Sequence, residues 1–276
     1  MDFDSLKAIC INLKRRPDRW AEFTAQPGYA AYGGRIRRFE AIDGKSMNVL
    51  EDPQLGLSAR RNIMAGVRRS HYEIVAPNSV AIYHSHVGAW RQLIESGEPA
   101  MIIMEDDLRL DADSYDKFRR LFNHATIRGG DWDLLNPGIL SRDPAEKKVI
   151  DDVLSEYTYG YLFHCYILTR RGAERLLERA YPIEVHVDHY AGMLAQTGAI
   201  KMYGPTTRIF YQRTDDSDNR AGNNSCQTCR IPTNAGERGA YLHTPRLQLY
   251  QLEESALAIG GLLLALYVWR LATRKN

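Results

Sequence analysis

The chain has 276 residues, 44% hydrophobic and 25% charged, with a formal net charge of +2. Residues 256–276 hold Arg270, Arg274 and Lys275 and no acid, so +3 sits there and the rest of the chain sums to −1. A near-neutral body of this size can bury a core without disulfide staples, and it lacks the concentrated basic face of a nucleic-acid-binding protein.

The first residues are acidic and run straight into a strand-like segment, so no secretory leader is expected. Residues 8–13 (AICINL) form a short apolar run rich in β-branched side chains and predict a buried strand. Pro17 breaks it, and a helix can begin at Asp18. A second strand is expected over 37–42, closed by Asp43-Gly44. Residues 45–78 are mixed and predict no element. The basic clusters Arg35, Arg37, Arg38 and Arg60, Arg61, Arg68, Arg69 read as solvated surface or as contacts to phosphates.

Residues 80–96 have helical spacing. Ile82, His86, Ala89, Trp90 and Leu93 fall on one face. Residues 100–104 (AMIIM) are fully apolar and too short for a helix, so they read as a buried strand. That strand delivers Glu105, Asp106 and Asp107. A helix is expected over 113–122, strands over 132–135 and 161–168, and a helix capped by Thr169 and ending near Arg179. A short helix over 189–196 and a strand over 200–203 follow. Strands alternating with helices predict an α/β fold with a mostly parallel sheet. Cys10 and Cys165 lie in apolar runs and read as small core residues. Cys226 and Cys229 form a lone C-x-x-C in a loop-like stretch, which does not by itself specify zinc.

The C-terminal end is different. Residues 256–269 carry no charge, and a helix over 256–272 would span roughly 25 Å, against ~30 Å for a bilayer core. Tyr267 and Trp269 suit an interface, and Arg270 can snorkel. A membrane anchor is expected there, with the body of the chain in the cytosol. The basic residues beyond the run favour the cytosolic side too, so a shallow insertion reconciles the two. The lumen of an endomembrane compartment is the alternative placement.

Acids are costly to bury, so a triplet after an apolar strand requires a function or a turn. Ligands of open α/β sheets collect at the carboxyl ends of strands. A hard divalent cation there would neutralise the acids and bridge to a diphosphate. In an extended segment Glu105 and Asp107 project to one side and Asp106 to the other. Glu105 and Asp107 are therefore the expected metal ligands.

Several segments, in order, resemble glycosyltransferase family 25, which includes bacterial lipooligosaccharide galactosyltransferases and procollagen galactosyltransferases. Ile11-Asn12-Leu13, Arg16 and Asp18-Arg19 resemble its I-N-L-x-x-R-x-D-R. Ala41, Asp43 and Gly44 resemble its A-x-D-G. Ser85, His86 and Trp90 resemble S-H-x-x-x-W, and 103–107 (IMEDD) resembles the strand ending in E-D-D. Residues 166–173 (YILTRRGA) resemble Y-x-I-x-x-x-G-A. Pro182 with Asp188 resembles P-x-D at a longer spacing, and Pro205, Gln212 and Asp216 resemble the closing region. The residues before Ser85 depart from the family's glycine-containing segment.

The resemblance implies a GT-A-like domain over 1–216; the composition of the remaining residues adds a loop-rich extension over 217–255 and the anchor helix over 256–272. It implies a UDP-sugar donor, Mn²⁺ or another divalent cation, and an inverting transfer, with galactose the first candidate. The acceptor would be a glycan, a lipid-linked sugar or a protein hydroxyl. Asp188 is the expected catalytic base, since a helix start keeps a carboxylate ionised. Asn12, Leu13, Arg16, Asp43, Gly44, His86 and Asp106 are the expected donor contacts. His186 and His189 flank Asp188 as ligands or surface groups. A membrane-tethered nucleotide-sugar-binding or glycan-binding protein without turnover, and a metal-dependent phosphohydrolase, are the competing classes.

Overall fold

Alternation of side chains along two neighbouring strands builds the core as two layers. The structure, a computed structural model, describes residues 1–213. The expectations for Asp216, Cys226, Cys229, the extension at 217–255 and the apolar run at 256–272 lie outside the described residues. Among the described residues no helix is long and apolar enough to cross a membrane.

In chain order the elements are β1 (Lys7–Leu13), α1 (Pro17–Thr24), β2 (Ile36–Ala41), α2 (Leu57–Ala65), α3 (Pro77–Glu95), β3 (Ala100–Glu105), β4 (Leu108–Arg109), α4 (Ser114–Phe122), α5 (Ala125–Arg128), β5 (Leu134–Leu135), β6 (Lys147–Val149), β7 (Leu154–Tyr157), β8 (Cys165–Thr169), α6 (Arg170–Glu178), α7 (Val187–Gln196), β9 (Met202–Pro205) and β10 (Tyr211–Gln212). Eight of the strands form one sheet in the order β2-β1-β3-β8-β5-β9-β7-β6. β1 pairs in parallel with β2 and β3, and β5 with β9. β8 runs against β3 and β5, and β7 against β9 and β6. Only β8 and β7 oppose the other six, so the sheet is mostly parallel in direction.

On one face Ile9, Ile11, Met101, Ile103 and Tyr166 pack with Trp90 and Leu93 of α3, Leu176 of α6 and Leu194 of α7. On the other, Ala8, Cys10, Ile102, Met104 and Ile167 pack with Phe118 and Phe122 of α4. Cys10 and Cys165 are free and fully buried, as their apolar runs predict. The helical face read over 80–96 is the buried face of α3, with Pro77 at its first position. Thr169 caps α6, accepting the Gly172 N–H at 3.0 Å.

Three features depart from the sequence expectations. β8 begins at Cys165 rather than at 161, because Leu162 has φ +78° and cannot continue a strand. The β6–β7 hairpin was not predicted, since Lys147–Val149 has no buried face to give it a period. Residues 45–78, assigned no element, include α2. Asp133, fully buried, accepts from Arg171 Nε at 2.8 Å, Arg175 Nη1 at 2.6 Å and the Lys201 N–H at 2.8 Å, fastening α6 to the strand ends.

Reversal of β8 is what positions the site. The carboxyl ends of β1, β2 and β3 meet at one edge of the sheet. Because β8 runs the other way, the residues that precede it arrive at that same edge. The Glu105 N–H donates to the His164 carbonyl at 2.9 Å. The chain passes from β1 to β2 on one side and to β3 on the other, and the crevice outside the carboxyl ends at such a reversal of strand order is where open α/β sheets bind ligands.

Candidate active site

Hydrogen bonds at the end of β3 sort the three acids. The strand stops at Glu105, and Asp106 and Asp107 form a turn. Strict alternation therefore ends before Asp107. Arg19 of α1 reaches both turn carboxylates, with Nη2 at 2.7 Å from Asp106 Oδ1 and 3.7 Å from Asp107 Oδ2. Asn12 Nδ2 donates to Asp106 Oδ2 at 2.5 Å. Asp107 Oδ2 is 3.5 Å from Gln212 Nε2, while its Oδ1 is buried with no hydrogen-bond partner. Gln212 arrives through the β4–β10 pairing, which sets it opposite Leu108.

Glu105 belongs to a different chain of contacts. Trp90 Nε1 donates to the Tyr166 hydroxyl at 2.8 Å, and that hydroxyl lies 2.9 Å from His86 Nδ1. His86 Nε2 is 2.9 Å from Glu105 Oε1. An indole N–H can only donate, so it occupies an oxygen lone pair and leaves the hydroxyl proton for Nδ1. His86 is then the Nε2–H tautomer and donates to Glu105. Replacing Tyr166 by Phe strands two buried groups and is expected to cost about 2 kcal/mol of stability. A urea midpoint equal to the parent's would remove Tyr166 from this chain.

The charges act accordingly. Burial pushes the Glu105 carboxyl up, but the His86 hydrogen bond together with the electrostatic pull of His86 and His164 outweighs it, and the group ends below its usual range. Asp106 is raised by burial, against the opposing pull of Arg19 and Asn12. Asp107 is raised well above the usual carboxylate range, first by burial and then by the Glu105 charge. Glu105 acts on Asp107 more strongly than Asp106 does, while the strand alternation that set Glu105 and Asp107 on one side ends at Glu105.

A cleft brings Leu13, Asp43, Gly44, His86, Glu105, Asp106 and Asp107 together, with Arg15 and Arg19 on its wall. Asp43 is bound by Arg15 Nε at 2.6 Å, and that bond holds its carboxyl below the usual range. A Cβ on Gly44 would lie 2.6 Å from Asn78 Oδ1, so the glycine lets the loop close on the start of α3. Ser85 Oγ accepts the Ile42 N–H at 2.9 Å and ties the end of β2 to the same helix.

Two expected donor contacts have other tasks. Asn12 is 1% exposed and works beneath the cleft, donating to Asp106 and, at 3.2 Å, to the Arg16 carbonyl. The Arg16 side chain is not on the cleft wall. Its guanidinium bonds to Asp18 at 2.7 Å and holds that carboxyl at about 2. Arg19 faces the acids instead. It stood in the quoted motif, and its neighbourhood to two carboxylates is set by the packing of α1 on β1.

Asp188 lies outside that wall, in the first turn of α7. The N-cap of that helix is His186, so Asp188 is not a simple cap. Its Oδ2 accepts the Leu162 N–H at 2.9 Å and its Oδ1 the His189 N–H at 2.8 Å. Asn136 Nδ2 holds the Leu162 carbonyl at 2.8 Å from the other side. These bonds keep Leu162 in its left-handed conformation, a strained state of the kind found at binding sites. Asp188 and Glu105 act electrostatically on one another. Burial pushes the Asp188 carboxyl up, but His189, His186 and the two N–H groups bring it below its usual range. Burial lowers His164 and His186 to about 4, so both are neutral at pH 7. His164 was not foreseen, since nothing local distinguishes it from a core histidine.

Among the described residues no group of three or more His, Cys, Asp and Glu side chains is arranged to hold a metal ion. The expected ligands Glu105 and Asp107 both line the cleft.

Residues 5–191 match the family model described as glycosyltransferase family 25 (LPS biosynthesis protein). Procollagen galactosyltransferase 1 from Danio rerio is 26% identical over 209 residues, 74% of this chain and 33% of that protein. A probable inactive glycosyltransferase 25 family member 3 from Bos taurus is 25% identical over 180 residues, 64% of this chain and 29% of that protein. A glycosyltransferase 25 family member from Anopheles gambiae is 25% identical over 188 residues, 65% and 30% of the two chains. The chain spans about a third of the length of these relatives. The match covers most of the chain and every strand that bears the acidic cleft: the protein belongs to glycosyltransferase family 25.

Proposed function

We propose that this protein transfers a sugar, galactose as the first candidate, from a UDP-sugar to a hydroxyl of a glycan, lipid-linked or protein acceptor, with inversion. The observation that carries the reading is Asp107, a buried carboxylate with one oxygen unpartnered and a second negative charge, Glu105, acting on it. Such a pair suits a divalent cation such as Mn²⁺, because two carboxylates plus donor phosphates and water complete an oxygen shell. Glu105 and Asp107 would hold the ion, which when bound supplies charge stabilisation to the leaving diphosphate.

The protein's own residues do the rest. His86 orients Glu105, and Asn12 and Arg19 fix Asp106 beside the donor. Asp188 is the proposed base. Its carboxylate takes the proton of the acceptor hydroxyl as that oxygen bonds to the anomeric carbon and the bond to the diphosphate breaks. At pH 7 the neighbouring His164 and His186 are neutral, while the lowered Asp188 carboxyl keeps its negative charge. The test is a panel of UDP-sugars scored for Mn²⁺-dependent thermal stabilisation and for UDP release, with the product anomer read by NMR. Retention of configuration would sink the inverting mechanism, and phosphate release from simple esters would favour a phosphohydrolase.

A binding protein without turnover is the second reading. Both Asp188 oxygens already accept backbone N–H bonds, which favours a structural carboxylate. Donor binding without UDP release in the presence of acceptor would select it. The apolar run at 256–272 is proposed as a membrane-contacting tail on a cytosolic body. Flotation of the chain with liposomes is expected to be lost on removal of residues 256–276, and flotation that persists would refute it.

A further inference from the structure

On the acceptor side of Asp188 stands a group of side chains that the donor cleft does not use. Tyr161 stacks on His189, with ring centroids 5.1 Å apart and planes 20° from parallel. Tyr159 Oη lies 2.5 Å from His189 Nδ1 and fixes that ring. The pair flanks the base: His189 N–H and Leu162 N–H, the latter one residue from Tyr161, are the two groups that hold the Asp188 carboxylate.

Two guanidinium groups stand over this surface. Arg142 Cζ lies 5.9 Å from the Tyr161 ring centre and Arg208 Cζ 4.7 Å from that of Tyr211. Both act electrostatically on Tyr161. Arg208 spends its Nε on the Phe210 carbonyl at 2.8 Å. Neither arginine makes an ion pair with a carboxylate among the described residues, whereas Arg171 and Arg175 do, on Asp133. Arg142 is exposed and Arg208 half-buried, and burial lowers the proton affinity of Arg208, with only the tyrosines Tyr211 and Tyr161 acting the other way. Guanidinium forks match phosphate and carboxylate oxygens, and aromatic faces accept the apolar face of a sugar ring.

We propose that Arg142 and Arg208, beside the Tyr161–His189 stack, form an acceptor subsite for a sugar bearing an anionic group, a phosphate or a carboxylate. The assignment rests on the reading of Asp188 as the acceptor-side base. It narrows the acceptor from any hydroxyl to one next to a negative charge.

The test uses the full chain without donor and measures binding by calorimetry. The probes are methyl glucoside 6-phosphate, methyl glucuronide and uncharged methyl glucoside. The charged probes are expected to bind about tenfold more tightly than the uncharged one, and less so in high salt. The R142A/R208A double variant is expected to lose that discrimination, and R142K/R208K to keep part of it. Melting temperatures confirm that each variant folds. Equal binding of charged and uncharged probes would overturn the proposal. So would a fall in UDP affinity in the double variant, which would put the arginines on the donor diphosphate. Anion-dependent binding in a chain that turns over no UDP-sugar would count against the transferase reading and for the subsite.

Discussion

Replacing Asp107 by Asn is expected to make the protein more stable and to abolish cation-dependent donor binding. The folded-state value of Asp107 is raised well above that of an unfolded chain, by burial and by the Glu105 charge. The folded state therefore binds more protons than the unfolded state as pH rises above the unfolded value near 4. Stability is full below that value and falls as pH rises through the folded one. Asn carries no such charge. The variant is expected to gain about 1 kcal/mol at neutral pH, seen as a rise of about 2–4 °C in melting temperature, and to lose the slope with pH. Mn²⁺ is expected to stabilise the parent in the presence of UDP and to leave the variant unmoved. Turnover is expected to fall about 10²- to 10³-fold. Equal Mn²⁺ stabilisation of parent and variant would show that Asp107 is not a cation ligand.

Arg19→Ala is expected to cost stability, about 3 kcal/mol, the size seen when one partner of a buried ion pair is removed. Arg19 sits between Asp106 and Asp107 and is itself only 9% exposed. Its loss leaves Asp106 with Asn12 alone and Asp107 with no cation. Both carboxyls already stand above their usual range, so they protonate readily once the guanidinium is gone. The loss measured by urea denaturation should therefore be larger at pH 7 than at pH 5. Lys in place of Arg keeps the charge but not the fork, and is expected to fall between the two. A loss below about 1 kcal/mol, or one independent of pH, would mean that the acids do not rely on Arg19.

Much of this site is legible in the chain because its signals are local. The short apolar runs at 8–13 and 100–104 placed two buried strands, and the spacing of His86, Trp90 and Leu93 placed the buried face of α3. A strand of that length leaves Glu105, Asp106 and Asp107 at its carboxyl end. Other parts had no local signal. The 161–168 run has the composition of a strand, yet its first four residues are bent away by contacts from Asn136 and Asp188, each 26 positions from Leu162. The β6–β7 hairpin lacks a buried period in its first strand.

The sequence by itself determined the buried strands, the acidic strand end and the order of family motifs, because apolar runs and short spacings are properties of neighbours along the chain. Only the tertiary structure decided the partners of those residues. Arg19 rather than Arg16 meets the acids, Trp90 and Tyr166 set the tautomer of His86, and reversed β8 carries His164 to the same edge as Glu105. Charge pairing and hydrogen-bond direction act through space, so they depend on strand order and direction, which no window of the chain contains.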